Sequence, residues 1–224
     1  DRLRGATVFS LYSHQDRAVL PAAAAVPVPE SVPPTRAVLA ANMETALNAL
    51  WDGQVQAGDR VCVLGAGVVG LMLGHLASRI PAVRCLIVDP DAGKAAAAEA
   101  LGLAFRTAPP DDLFDVVFHA SGNPAGLATA LALADFEATV VEASWYGITP
   151  VTLPLGEGFY AKRLTLRSSQ VGSVSPRQRA RLSHRQRLEI ALALLADDRL
   201  DGLITGESAF TELPEVMARL SDGS

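Results

Sequence analysis

The chain is poor in aromatic residues and cysteine, and it lacks both a long apolar run and an excess of positive charge. Phe, Trp and Tyr make up 5% of its 224 residues, and Cys62 and Cys85 are its two thiols. With apolar flanks and no Cys or His at ligand spacing, they exclude a disulfide framework and read as small buried hydrophobes in a reducing compartment. A formal net charge of −5 offers no general footprint for nucleic acid or an anionic membrane surface. No apolar stretch reaches the roughly 18 residues of a transmembrane helix. The opening Asp1-Arg2-Leu3-Arg4-Gly5 is not followed by the apolar segment of a secretory leader. The expectation is a cytoplasmic protein that binds neither nucleic acid nor membrane.

Aliphatic residues are what the chain has in plenty. Half of it is hydrophobic, mostly Ala, Leu and Val, which suits helices packed on a parallel sheet. Apolar runs of strand length at 61–64, 84–88, 115–119, 138–143 and 164–168 alternate with helical patterns at 68–80, 92–101, 125–134 and 184–196. Asp91 stands as an N-cap and Gly102 as a stop for the second of these helices. Such alternation with right-handed crossovers predicts an α/β fold, a doubly wound parallel sheet with its ligand at the carboxyl ends of the strands. Ahead of it, residues 6–11 and 17–20 read as short strands and the proline-rich piece 27–34 as an extended connector. A helix starts near Thr35 and runs on through Glu44 to Leu50.

The chemistry is carried by Val61-Cys62-Val63-Leu64-Gly65-Ala66-Gly67-Val68-Val69-Gly70. A strand breaks into Gly-x-Gly-x-x-Gly and resumes as a helix, and the next strand ends in Asp89. A glycine triplet alone is weak evidence; in this context it specifies a dinucleotide site. Gly65 allows the tight turn, Gly67 lets backbone approach a pyrophosphate, and Gly70 lets the helix pack closely on the strand. The first helical turn, with Val68 and Val69, turns unpaired N–H groups toward the phosphates. Asp89 accepts hydrogen bonds from ribose hydroxyls and repels a 2′-phosphate, which favours NAD over NADP.

Ala40-Ala41-Asn42-Met43-Glu44-Thr45 through Leu50, the glycine segment, Phe114-Asp115-Val116-Val117-Phe118-His119-Ala120-Ser121-Gly122 and Thr139-Val140-Val141-Glu142-Ala143 follow in an order that resembles the medium-chain dehydrogenase/reductase superfamily, which includes zinc alcohol dehydrogenases, polyol dehydrogenases and quinone reductases. The resemblance spans nearly the whole chain and implies a Rossmann domain over 35–183. It also implies remnants of a GroES-like β catalytic domain at both ends, with 1–34 in front and 184–224 returning toward it as a helical segment. Most of that catalytic domain is missing from these residues.

The resemblance further implies that Lys94 joins Asp89 on the adenosine ribose and that Thr45 lies near the nicotinamide. Ser121 and Gly122 lie where the cofactor passes, Ser144 belongs to a turn beside the nicotinamide, and the backbone around Ser169 takes its carboxamide. It argues against metal: a zinc ligand would fall on Ala41 or Asn42, neither a good donor, which leaves Glu44 as a remote substitute. His14 and Tyr146 are the weak catalytic candidates, His14 as a proton donor and Tyr146 as a donor to a carbonyl oxygen. His119 reads either as a packed histidine or as one that touches cofactor. Arg177, Arg179, Arg181, Arg185 and Arg187, with His184, read as a basic patch, solvated or facing an acidic ligand. The expected function is hydride transfer between NAD(H) and a small alcohol or carbonyl substrate, with a homodimer as an open alternative for assembly. The rivals are a non-catalytic dinucleotide-binding module and a zinc-free, quinone-reductase-like enzyme; a Rossmann methyltransferase is disfavoured by Asp89, Lys94 and the pattern around Thr45.

Overall fold

The computed structural model describes residues 3–156 and 158–221. Two short strands, β1 (Val8–Phe9) and β2 (Val26–Pro27), pair antiparallel. Helices α1 (Pro34–Ala37) and α2 (Ala40–Gly53) lead into β3 (Arg60–Leu64), α3 (Val68–Ala77) and β4 (Arg84–Val88). There follow α4 (Ala95–Ala100), β5 (Ala104–Arg106), β6 (Phe114–His119), α5 (Pro124–Leu133) and β7 (Ala134–Glu142). The chain continues with α6 (Gly158–Ala161), β8 (Thr165–Ser168), α7 (His184–Leu194) and α8 (Leu213–Ser221).

Strands β3 to β8 form one parallel sheet in the order β5-β4-β3-β6-β7-β8. The order reverses between β3 and β6, and that switch point opens a crevice at the carboxyl edge. The expected doubly wound sheet is therefore present. Its period of two is visible in β3: Val61 and Val63 face α2, α3 and α7, whereas Cys62 and Leu64 face α5. Burial pushes the Cys85 thiol up to about 12 and raises that of Cys62 as well, so both behave as inert core groups. No helix among the described residues is long and apolar enough to cross a membrane.

Four details depart from the sequence reading. Residues 17–20 form no strand, and Val19 is 97% exposed; β1 pairs instead with β2, whose Val26 is buried in the main core. The helix expected over 92–101 opens as a 3-10 turn, Ala92–Lys94, capped by Asp91, which accepts from the Gly93 N–H. Edge strand β5 was not anticipated, because three residues carry too short a pattern. Strand β7 starts at Ala134, directly after α5, with a register irregularity opposite Phe114 and Val116. Ahead of α1 the chain forms only the β1–β2 pair of strands among the described residues, and no residue of α8 is buried.

The basic run does not form one patch. Arg187 shares the α7 face that buries Leu188, Ala191 and Leu192, and it is only 2% exposed. Its Nε donates to Glu44 at 3.0 Å, and its Nη1 donates to Asn48 Oδ1 at 2.7 Å and to the Ser173 carbonyl at 3.2 Å. Asn48 donates to Asp52, which also accepts from Ser169 Oγ at 2.8 Å. The arginine thus ties α7 to α2 and holds the loop after β8. On the far side, Arg36 grips Asp201 with two bonds and donates to the carbonyls of Leu195 and Ala196.

Two predictions follow. Arg187→Ala leaves the Glu44 carboxylate buried without its partner and should cost about 3–5 kcal/mol by urea unfolding, and Arg187→Met with Glu44→Leu should recover most of that. His75 is buried, and its Nδ1 has no partner. Burial, and then nearby Arg79, lower its pKa from 6.5 to about 4. The unfolded imidazole takes up a proton as pH falls through 6.5 while the folded one stays neutral, so stability should decline between pH 6.5 and 4, by at most about 3 kcal/mol. His75→Gln should flatten that slope.

Candidate functional site

At the end of β3 the chain turns at Gly65, with φ of +111°. A Cβ there would lie 2.8 Å from the Ala120 carbonyl carbon and the Ser121 nitrogen. At Gly70 a Cβ would lie 1.9 Å from the Gly65 carbonyl oxygen. Gly70 is therefore needed chiefly against the loop's own backbone, and less against the strand side chain Val63. A Cβ on Gly67 would meet nothing within 4 Å: this face of the loop is open. Helix α3 begins there, and the first helical bond from its opening turn is Leu71 N–H to the Gly67 carbonyl. The N–H groups of Val68, Val69 and Gly70 precede it, as an anion site at a helix N-terminus requires.

Asp89 follows β4 and is 6% exposed. Its Oδ2 accepts from the Ala66 N–H at 2.7 Å, its Oδ1 from the Asp91 N–H at 3.0 Å, and Lys94 Nζ donates at 3.2 Å. Burial opposes ionisation, but the two amides and the ammonium outweigh it and hold the carboxyl below its usual range. A cleft of about 400 Å³ lies between this carboxylate and the switch point, lined by Gly65, Asp89, Lys94, Thr107, Ser121 and Asn123 among others. Gly65, Asp89, Lys94 and Ser121 were legible in the sequence. Thr107 and Asn123 were not: Thr107 follows the unanticipated β5, and Asn123 caps α5 by accepting from the Ala125 N–H. The only sequence signal for them was the turn composition on either side of β6.

A polar cluster lies beside the cleft, where β6 and β7 end. His119 is wholly buried; its Nδ1 is 2.8 Å from Glu142 Oε2 and its Nε2 is 2.7 Å from Ser121 Oγ. Burial favours the neutral form of Glu142, but bonds from His119 and the Ser144 N–H lower its pKa overall. Tyr146 donates its hydroxyl to Glu142 at 2.8 Å, and burial with that bond raises its pKa. Its one proton is thereby committed, and the carbonyl-polarising role expected of Tyr146 is not available in this arrangement. Ser144 Oγ accepts from the Gly122 N–H at 3.0 Å.

The other expected residues scatter. Thr45 bonds back to the Ala41 carbonyl of its own helix. Ser169 lies at the end of β8, with its N–H on the Glu142 carbonyl and its hydroxyl on Asp52. His14 lies on an exposed stretch and lines neither this cleft nor the second concavity, of about 380 Å³, between the β2 segment, α2 and α7. Glu44 borders that second concavity but is held by Arg187. Ala41 has no donor atom, Asn42 only an amide oxygen, and among the described residues no three or more His, Cys, Asp or Glu are grouped to suit a metal, so these side chains do not fit a zinc ion.

No protein-family model matches the chain. Solved structures do. An alcohol dehydrogenase from Thermus sp. ATN1 is 25% identical, with a TM-score of 0.70, over 89% of this chain and 62% of that one. A protein described as a short chain alcohol dehydrogenase, from Escherichia coli CFT073 and complexed with NADH, gives 21% identity and a TM-score of 0.74 over 91% and 60% of the two chains. The L-idonate 5-dehydrogenase of Escherichia coli K-12 gives 20% and 0.74 over 90% and 57%. The resemblance to medium-chain dehydrogenases thus extends to the fold, and the chain spans about 60% of the length of these proteins.

The two loop glycines separate fold from ligand. Gly70→Ala should destabilise the chain by about 1–3 kcal/mol or more, because the clashing atom is backbone. Gly67→Ala should change stability by no more than about 0.5 kcal/mol in the same urea titration.

Proposed function

We propose that the chain is the cofactor-binding portion of an NAD(H)-dependent oxidoreductase that transfers hydride between nicotinamide and a small alcohol or carbonyl substrate in the cytoplasm. The observation that carries this reading is the buried, ionised Asp89 fastened to a glycine loop whose Gly67 face is open. In this reading the N–H groups of Val68, Val69 and Gly70 hold the pyrophosphate, and Asp89 with Lys94 holds the adenosine ribose. Ser121 and Gly122 flank the cofactor at the switch point. Ser144, Thr45 and the backbone at Ser169 serve the nicotinamide end. Bound cofactor supplies the hydride chemistry; the protein binds, orients and excludes water. The fixed carboxylate supports NAD over NADP, since it would face a 2′-phosphate at close range. Residues 35–183 are the nucleotide-binding unit, the flanking segments lead toward a catalytic domain, and the assembly to test is a homodimer.

A second reading is a dinucleotide-binding module without turnover. It draws on the commitment of Tyr146 to Glu142, which takes the proton that would polarise a substrate carbonyl, and of Glu44 to Arg187, which takes up the carboxylate that stood as the substitute metal ligand.

Titration with NADH should give saturable energy transfer from Trp51 or the exposed Trp145, and no saturation at millimolar cofactor would overturn the proposal. NADPH should bind more weakly. Asp89→Ser should weaken NADH by about tenfold, the loss of one charge-assisted hydrogen bond, and narrow its lead over NADPH. Gly67→Ala should weaken both cofactors alike. Saturable binding without turnover of alcohols, aldehydes or quinones by the full-length protein would favour the second reading.

A further inference from the structure

Ser121, His119 and Glu142 stand in a line that cofactor binding does not require. An ionised carboxylate only accepts, so Glu142 holds the His119 proton on Nδ1 and leaves the Nε2 lone pair for the Ser121 hydroxyl, 2.7 Å away. Tyr146 adds a second donor to Glu142, and the imidazole between carboxylate and hydroxyl is fully buried. The serine itself is exposed and lines the cleft. Glycine at 126 is a condition of the line: a Cβ there would lie 2.6 Å from His119 Nε2 and 2.8 Å from Ser121 Oγ. Ser121 also occupies a strand-to-helix turn between β6 and α5, followed by Gly122 at φ +69°. The Gly122 N–H donates to Ser144 Oγ at 3.0 Å, and the Ser121 hydroxyl oxygen accepts from the Asn123 N–H at 3.2 Å. Carboxylate, imidazole and hydroxyl in this order are the arrangement that makes a serine nucleophilic on several unrelated folds.

We propose that Ser121, activated by His119 and Glu142, accepts an acyl group from donors whose leaving group departs as a stable anion. Ser121 Oγ bonds to the acyl carbon, and the bond from that carbon to the leaving oxygen breaks, its electron pair going with the leaving group. The hydroxyl proton passes to His119 Nε2 and returns to Ser121 Oγ when the acyl group leaves; nothing is oxidised or reduced. The restriction to anionic leaving groups follows from burial: Nε2 is covered by Ser121 and Gly126, so it takes the serine proton but is not placed to protonate a departing alkoxide. Water later releases the acid and restores the hydroxyl, slowly, so acyl-Ser121 accumulates.

The probe is p-nitrophenyl acetate on the folded chain. The expected result is a burst of nitrophenolate close to one per chain, with acetyl found on Ser121 by peptide mass spectrometry. Ser121→Ala should abolish the burst in a chain that stays folded, at some cost in stability for the unpaired His119 Nε2, and Glu142→Gln, which preserves shape, should slow it about a hundredfold or more. His119→Asn should do the same if it folds, and Glu142→Gln carries the test if it does not. Acetylation spread over lysines without Ser121, or an unchanged burst in Glu142→Gln, would overturn the proposal. NADH titration of the same sample keeps the two claims apart, since a burst in a chain that fails to bind NADH sinks only the dinucleotide reading.

Discussion

The closest constraint in the molecule is the backbone contact around Gly65. One carbonyl there forbids a side chain at Gly70, and the same residue admits none of its own because the Ala120–Ser121 peptide lies against it. Three chain segments meet at this point: the end of β3, the start of α3 and the turn leaving β6. Atoms this close cannot be rearranged by rotamer changes, so the contact fixes where α3 starts and where the β6 turn passes. The ladder continues past the strand ends in the same place, with Gly65 bonded to Val88, Ala120 to Leu64 and Ala143 to His119. The crevice is therefore bordered by rigid backbone, and the side chains around it inherit fixed origins.

On that frame, buried charge does the positioning. Asp89 accepts from the Ala66 and Asp91 N–H groups and from Lys94, so the carboxylate is oriented as well as ionised. Arg187 acts on the other border. Through Asn48 and Asp52 it reaches Ser169, and through the Ser173 carbonyl it holds the loop beyond β8. Such pairs add little net stability over well-packed apolar residues, but breaking one is expensive. They serve here to hold particular loops in particular places.

How much of this was legible depended on the range of the interactions. Strands 61–64, 84–88 and 115–119 and the glycine turn announce themselves locally, through run length, spacing and punctuation, and they fall within a residue or two of the observed elements. The strand expected at 17–20 failed because a short apolar run needs a neighbour, and the neighbour of β1 lay elsewhere. Arg187 looked like one of a row of surface charges, since nothing near it in sequence shows that Glu44 waits across the α2–α7 contact. Tyr146 looked like a free donor until Glu142, four residues before it, turned out to take its proton.

The sequence by itself determined the alternation of strands and helices, the glycine turn and the acid that closes the adjoining strand, because each is set by steric and hydrogen-bonding rules acting within a few residues. Only the tertiary structure decided the fates of His119, Glu142, Ser121 and Arg187. Their partners come from other strands and helices, and the bonds that commit or activate them exist only once the sheet brings its carboxyl ends together and excludes water from the space between.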